Sequence, residues 1–422
     1  MIPSRALVLL YLTTAHISLA LAFALTGWNP HAVAGFFYHS RMVAIVHLIT
    51  IGWIAMSVLG MVYIVLPMTF GLAFPARKGD YAAYALAVIG LIGMVSHFWL
   101  AEYSGMAWSA ATAAAGVSYV AIRLAWNLRT ANVPGGVKLH VYFASANILG
   151  AVTMGVLLGF DKVQQFLPGY LLSNVFAHAH LAAIGWVCMM VIGMGYRLLP
   201  MVIPAASPTG PTIYVSAILL ETGIVGLFVS LLRRSDRAPF FAVAILAGFA
   251  AAAAHLAWML SRRRTPSPGN GRRGFAIGHI ATAGAWLLCA CVCGVVLTVA
   301  PMTDMTLRAA LLYGVFGLVG FLAQIIVGFE LHLLPTAGAY WALQSSGGAS
   351  IGSRPATNEL QRSVVYCAWL AGVPGLGAGL FFNAPMVLAA GAWLLFGAVV
   401  LAAIDTARVI APRPQPAAAP RR

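Results

Sequence analysis

His47-Leu48-Ile49-Thr50-Ile51-Gly52-Trp53, running on through Met56, Gly60, Met61, Tyr63 and Leu66 to Pro67, recurs at identical spacing as His180-Leu181-Ala182-Ala183-Ile184-Gly185-Trp186, running through Met189, Gly193, Met194, Tyr196 and Leu199 to Pro200. A third, weaker copy has Val315 at the His place, followed by Gly320, Phe321, Gly328, Leu334 and Pro335. The offsets are 133 and 135 residues. Self-similarity at a fixed period decides architecture before any local reading does. The segments preceding the first two copies agree as well: Tyr11 to Ile17 resembles Tyr142 to Ile148, with His16 opposite Asn147. The chain therefore reads as three successive units, about 1–137, 138–274 and 275–408, and a basic, Pro-rich tail at 409–422.

Composition says what surrounds those units. Of 422 residues, 61% are apolar and 8% charged, and the mean hydropathy is +0.91. A soluble domain carries roughly 25% charged residues, so a water-soluble globule, a disordered chain and a nucleic-acid binder are excluded. A helix needs about 20 apolar residues to cross hydrocarbon. That window, broken at Pro, Gly and charge clusters, places twelve spans at 5–26, 42–67, 81–100, 105–126, 139–160, 172–200, 211–232, 240–260, 275–300, 309–335, 363–383 and 386–407. The fold expected is an all-α polytopic membrane protein, with about twelve transmembrane helices in three pseudo-symmetric four-helix units. The repeat lies on the second, sixth and tenth of them. Met1 to Thr26 reads as the first helix and not as a removed signal. Ser261 to Gly274 and Thr336 to Arg362 read as mobile loops.

The net charge of +15 is distributed unevenly. Eighteen Lys and Arg fall on the side of the termini and the even-to-odd loops, against six on the other side. The positive-inside rule then puts both termini in the cytoplasm, in a bacterial inner membrane. The Arg262 to Arg273 loop and the tail face anionic lipid head groups. No aromatic residues interleave with that loop, which argues against RNA or DNA. Five cysteines, four within apolar stretches, form neither a disulfide framework nor a CxxC pair.

On a helical wheel with the His at zero, the repeated Gly, Trp, Met, Gly, Tyr and Pro fall at about 140°, 240°, 180°, 220°, 160° and 200°. They form one stripe that packs on a neighbour through its glycines, while the imidazole faces elsewhere. Intramembrane ionisable residues are costly and usually functional, so a recurring His points to a shared polar site. His47 and His180 sit at equivalent depth, about 10 Å in by helix rise. In His178-Ala179-His180 the two rings lie about 200° apart and serve different faces. His39 and His97 belong to the same leaflet or its surface. His140, His255, His279 and His332 lie nearer the opposite face and read, with His16, as polar helix contacts. Cys289 and Cys293 share a helical face, as a soft copper site would want, but the preferred reading is small residues at a helix interface. Glu221 and Glu330 are the two acids within the spans. Phosphate loops, Ser-His-Asp arrangements and paired-carboxylate motifs are missing from readable context.

Twelve spans in three units, His-bearing even helices and the His-x-His helix start resemble the large subunit of heme-copper oxidases, particularly the cytochrome-cbb and nitric oxide reductase branches. The spacing of His, Gly at +5, Gly at +13 and Pro at +20, preceded by His-Ala-His, is similar to the NnrS family of heme and copper membrane proteins linked to nitric oxide. The resemblance implies heme b, with copper as a further metal, and nitric oxide or oxygen, with cytochrome c or quinol as electron donor. His47, His180 and His178 are the cofactor-binding candidates; His39 and His97 join them as metal candidates, and Glu221 and Glu330 would handle protons. The chain departs from the oxidase pattern at Val315 and in its seventh helix, Pro211 to Leu232, which has no histidine. A heme between His47 and His180 would sit elsewhere in the pseudo-threefold than the oxidase heme. Two rival readings stand beside it: a noncatalytic heme or copper handling protein that protects against nitric oxide, and a solute transporter built from internal repeats.

Overall fold

The computed structural model describes residues 3–35, 38–264, 274–345 and 358–411. Among them the structure is helical, without a strand. The long helices are α1 (Arg5–Trp28), α2 (Ser40–Thr69), α3 (Lys78–Leu100), α4 (Met106–Leu128), α5 (Gly135–Gln164), α6 (Leu171–Val202), α7 (Thr212–Arg233), α8 (Ala238–Ser261), α9 (Gly274–Val299), α10 (Asp304–Gln344), α11 (Glu359–Phe381) and α12 (Pro385–Ile410), with a single turn at Pro30–Val33 before α2. Eleven are long and apolar enough to cross a membrane. The exception is α4, whose Ala, Ser and Thr dilute its hydropathy and whose Arg123 adds a charge. This is a polytopic, multi-pass arrangement.

That charge is kept inside by a built partner. Asp80 at the start of α3 is fully buried and takes hydrogen bonds from the Arg123 guanidinium, from Tyr63 Oη at 2.9 Å and from the Arg77 backbone N–H at 2.6 Å. Arg123 also donates to the Pro75 carbonyl at 2.7 Å and lies over the Phe74 ring. Arg123 Nε is left without a partner, but a buried ion pair is worth keeping when other hydrogen bonds satisfy most of its donors and lone pairs. It ties α2, α3 and α4 together.

Two expectations about ends are corrected. The tenth span, placed at 309–335, runs as α10 from Asp304 to Gln344. The stretch from Thr336, placed in a loop, is helical to Ser345, and α11 begins at Glu359. Pro335 lies inside α10, as Pro67 and Pro200 lie inside α2 and α6. Proline removes one backbone hydrogen bond, but a helix surrounded by other helices tolerates it where neighbours satisfy the freed carbonyl. Most of the Ser261 to Gly274 loop and of the 409–422 tail lies outside the described residues.

Each long helix packs on the next around the bundle, and α12 returns to pack on α1, so the twelve close a ring. Within it α10 touches both α2 and α6. The three repeat helices share an irregularity that no propensity rule foretold. Each changes from α- to π-helical winding at the same register: Leu48–Ala55, Leu181–Cys188 and Val315–Ala323. A π-turn inserts a residue per turn and is found mainly at functional sites. Here it begins at or just after the His position in every copy, including the one that has lost the His.

The glycines of the stripe do what the wheel requires. A Cβ on Gly60 would overlap Tyr11, and one on Gly52 would overlap Ser18, both on α1. Gly185 and Gly193 meet Asn147 and His140 of α5 in the same way, and Gly320 and Gly328 meet Trp286 and Ile280 of α9. In all three places an even helix is pressed against its predecessor at glycine separation, which leaves the His position facing another neighbour.

Candidate functional site

His47 sits at the α-to-π junction of α2. Its Nδ1 bonds the Val43 carbonyl one turn back at 2.8 Å. A carbonyl only accepts, so in the neutral ring the hydrogen is on Nδ1 and the lone pair is on Nε2. The ring stacks on Phe98 of α3, with centroids 5.2 Å apart and planes 21° from parallel. Nothing among the described residues bonds Nε2, yet that atom does not belong to the sealed, unpartnered polar atoms of the interior.

His178 repeats this arrangement by a different route. Its Nδ1 bonds the Ala151 carbonyl of α5 at 2.9 Å, so its lone pair is also on Nε2. Gly155, one turn further along α5, gives the ring its room: a Cβ there would lie 3.0 Å from His178 Cε1. Nε2 carries no hydrogen bond and, like that of His47, is not a sealed atom. Both side chains are half-buried.

His180 turns elsewhere. Its Nδ1 bonds the Phe176 carbonyl at 2.8 Å, and its ring stacks on Tyr313 of α10 with centroids 5.7 Å apart and planes at 22°. Tyr313 Oη lies 3.1 Å from His180 Nε2. With Nδ1 protonated, the phenol donates and the Nε2 lone pair is taken. Thus the repeat's two histidines have the same backbone tether and the same stacking partner type, but only the first presents a free imine nitrogen. His178, not His180, shares with His47 an Nδ1 tied to a carbonyl and an Nε2 without a bonded partner.

The remaining candidates are dispersed. His39 caps the N-terminus of α2: its Nδ1 accepts from the Met42 N–H at 3.3 Å and its Nε2 donates to the Val33 carbonyl at 3.0 Å, so both nitrogens are used. His97 Nδ1 bonds the Glu102 carbonyl at 2.8 Å at the end of α3. No three His, Cys, Asp or Glu side chains converge as a metal-holding group among the described residues, and the cysteines are free thiols. Glu221 on α7 accepts from Asn147 Nδ2 at 2.7 Å, and the same amide reaches the Gly185 carbonyl at 2.9 Å. Glu330 on α10 is buried, with Oε2 3.6 Å from His16 Nε2. A groove of about 370 Å³ between α4 and α5, lined by Ile122, Trp126, Tyr142 and Leu149, touches none of the histidines. Ile122 and Trp126 are exposed there.

No known protein family matches the chain, and no curated protein matches its sequence. The reading of the site therefore rests on its own geometry. Phe98, Gly155 and Tyr313 were not singled out in the sequence, because their roles depend on which helices become neighbours. Only the His-x-His spacing gave a signal, by sending its two rings to different faces.

Proposed function

We infer that the chain is a heme-b-binding protein of a bacterial plasma membrane, with both termini in the cytoplasm, acting in respiratory or nitric-oxide-related electron transfer. Its helices fall into three four-helix units, a division supported by three π-helical segments at one register and three glycine contacts on the preceding helix. The observation that carries the heme assignment is the pair His47 and His178. Two imidazoles, on α2 and α6, have Nδ1 tied to a backbone carbonyl and Nε2 without a hydrogen bond among the described residues. Iron takes neutral imidazole through the nitrogen left bare, and the carbonyl bond on the other nitrogen fixes tautomer and ring direction. The residues fit the group in number, type and tautomer.

His47 and His178 would hold the iron; Phe98 and Gly155 hold their rings in place, and Tyr313 keeps His180 out of the ligand set. Bound heme b would supply one-electron redox chemistry. With His47 and His178 both holding it, the group would serve electron carriage rather than turnover of nitric oxide or oxygen. Electrons would come from a cytochrome c or a quinol. Copper is left out of this reading. Glu221 and Glu330 are proposed as proton-handling groups, and the basic loop and tail as contacts with anionic lipid.

The test is the spectrum of the purified protein. A low-spin Soret band, a b-type pyridine hemochrome and about one iron per chain are expected; a repeat-built transporter would show no Soret band. Steady-state nitric oxide consumption with a reductant separates an electron carrier or binder, which saturates, from an enzyme, which turns over.

A further inference from the structure

Away from the histidines of the proposed heme site, four residues on three other helices join His140 in an unbroken hydrogen-bond chain. Thr212 is the first residue of α7, exposed at the end of the bundle, and its Oγ1 lies 3.1 Å from His255 Nε2 on α8. His255 Nδ1 is 2.8 Å from Tyr196 Oη on α6. Tyr196 Oη is 2.9 Å from Ser216 Oγ on α7, and Ser216 Oγ is 3.0 Å from His140 Nε2 on α5. His140 Nδ1 closes the chain on the Gly136 carbonyl at 2.7 Å. His140 and Ser216 have no exposed surface and Tyr196 is 3% exposed.

The last bond fixes the direction of all the others. Gly136 can only accept, so neutral His140 has its hydrogen on Nδ1 and accepts at Nε2. Ser216 then donates to His140, Tyr196 to Ser216, His255 Nδ1 to Tyr196 and Thr212 to His255 Nε2, one hydrogen per contact with none left over. Ser216 has one alternative acceptor, the Ile213 carbonyl at 3.2 Å, to which its hydroxyl turns when His140 Nε2 bears a proton. A purely structural set of contacts needs no common direction and no contact with the exposed end.

We propose that Thr212, His255, Tyr196, Ser216 and His140 form a proton entry path from the end of the bundle to a buried base. A proton from the aqueous side binds His255 at Nε2. The Nδ1 hydrogen of His255 passes to Tyr196, the Tyr196 hydrogen to Ser216 and the Ser216 hydrogen to His140 Nε2, which becomes imidazolium. One proton has left the solution, one has arrived on His140, and each hydroxyl ends with the single hydrogen it began with. The titratable groups facing His140 are His255 and Tyr196. Asn147 and Glu221 make the next polar contact between α5 and α7, about two turns deeper on α5.

The path is tested on the full-length protein in lipid bilayers with ring-labelled histidine. Protonation of His140 is followed by time-resolved infrared spectroscopy after a light-triggered release of protons, and His140→Gln identifies its band. Tyr196→Phe deletes the hydroxyl at the centre of the chain and Ser216→Ala the one beside His140. Each is expected to slow protonation of His140 by about tenfold or more, with Thr212→Val, at the exposed end, slowing it less. Equal rates in wild type, Tyr196→Phe and Ser216→Ala would overturn the proposal. Should Tyr196→Phe fail to fold, Ser216→Ala and Thr212→Val decide alone, and unchanged rates in those two overturn it equally.

Discussion

The first and second copies of the repeat hold the same imidazole in the same way and leave it in different chemical states. His47 and His180 both bond the carbonyl one turn back through Nδ1 and both lie nearly parallel on an aromatic ring. The rings differ by a hydroxyl. Phe98 offers none, and Tyr313 offers one that takes the His180 lone pair. What an imidazole can bind is therefore decided by a side chain from a neighbouring helix. The third copy extends the lesson: Val315 has replaced the imidazole, but the π-helical segment persists there. Backbone register belongs to the repeat, and ligand chemistry belongs to its neighbours.

This contrast can be broken by substitution. His47→Ala removes the free imine nitrogen and is expected to cut heme content at least about tenfold, more than the loss of a supporting residue would; the pyridine hemochrome of matched preparations measures it. Next comes the packing that holds both copies in register. Gly60→Leu and Gly193→Leu force side chains against Tyr11 and His140 and should cost about 1–3 kcal/mol each, as overpacking does, read as loss of thermal stability. If Gly193→Leu alone were harmful, the two copies would not be packed alike.

A finer exchange moves the hydroxyl. Phe98→Tyr should hand His47 the hydrogen bond that His180 already has, worth about 1 kcal/mol, and weaken heme retention about fivefold. Unchanged retention would mean that the stacked ring does not govern Nε2. The smallest effect is expected from Tyr313→Phe, which frees His180 without removing a ligand. The ¹⁵N resonance of His180 Nε2 should lose its hydrogen-bond shift while the heme spectrum stays as in wild type.

The long helices, the repeat and the glycine face were legible because each is a periodic property of one segment. The proline ends were misjudged at Pro335, where surrounding helices carry the chain past a residue that would stop it in water. The π-winding was invisible, since counting at a fixed angle per residue assumes the regular helix it was meant to detect. The pairing of His47 with His180 followed from symmetry and equal depth. Symmetry says nothing of Phe98 or Tyr313, which arrive from α3 and α10, nor of the Ala151 carbonyl that aims His178. Likewise nothing in the sequence signalled how Arg123 is kept inside α4, because its partner Asp80 lies 43 residues away.

The most direct measurement compares the electron paramagnetic resonance and Soret spectra of His178→Ala and His180→Ala with those of the wild type. Low-spin bis-imidazole signals should vanish in His178→Ala and persist in His180→Ala. Loss in His180→Ala together with retention in His178→Ala would show that iron sits between the repeat's own histidines, and that a neighbouring phenol does not decide which imidazole binds it.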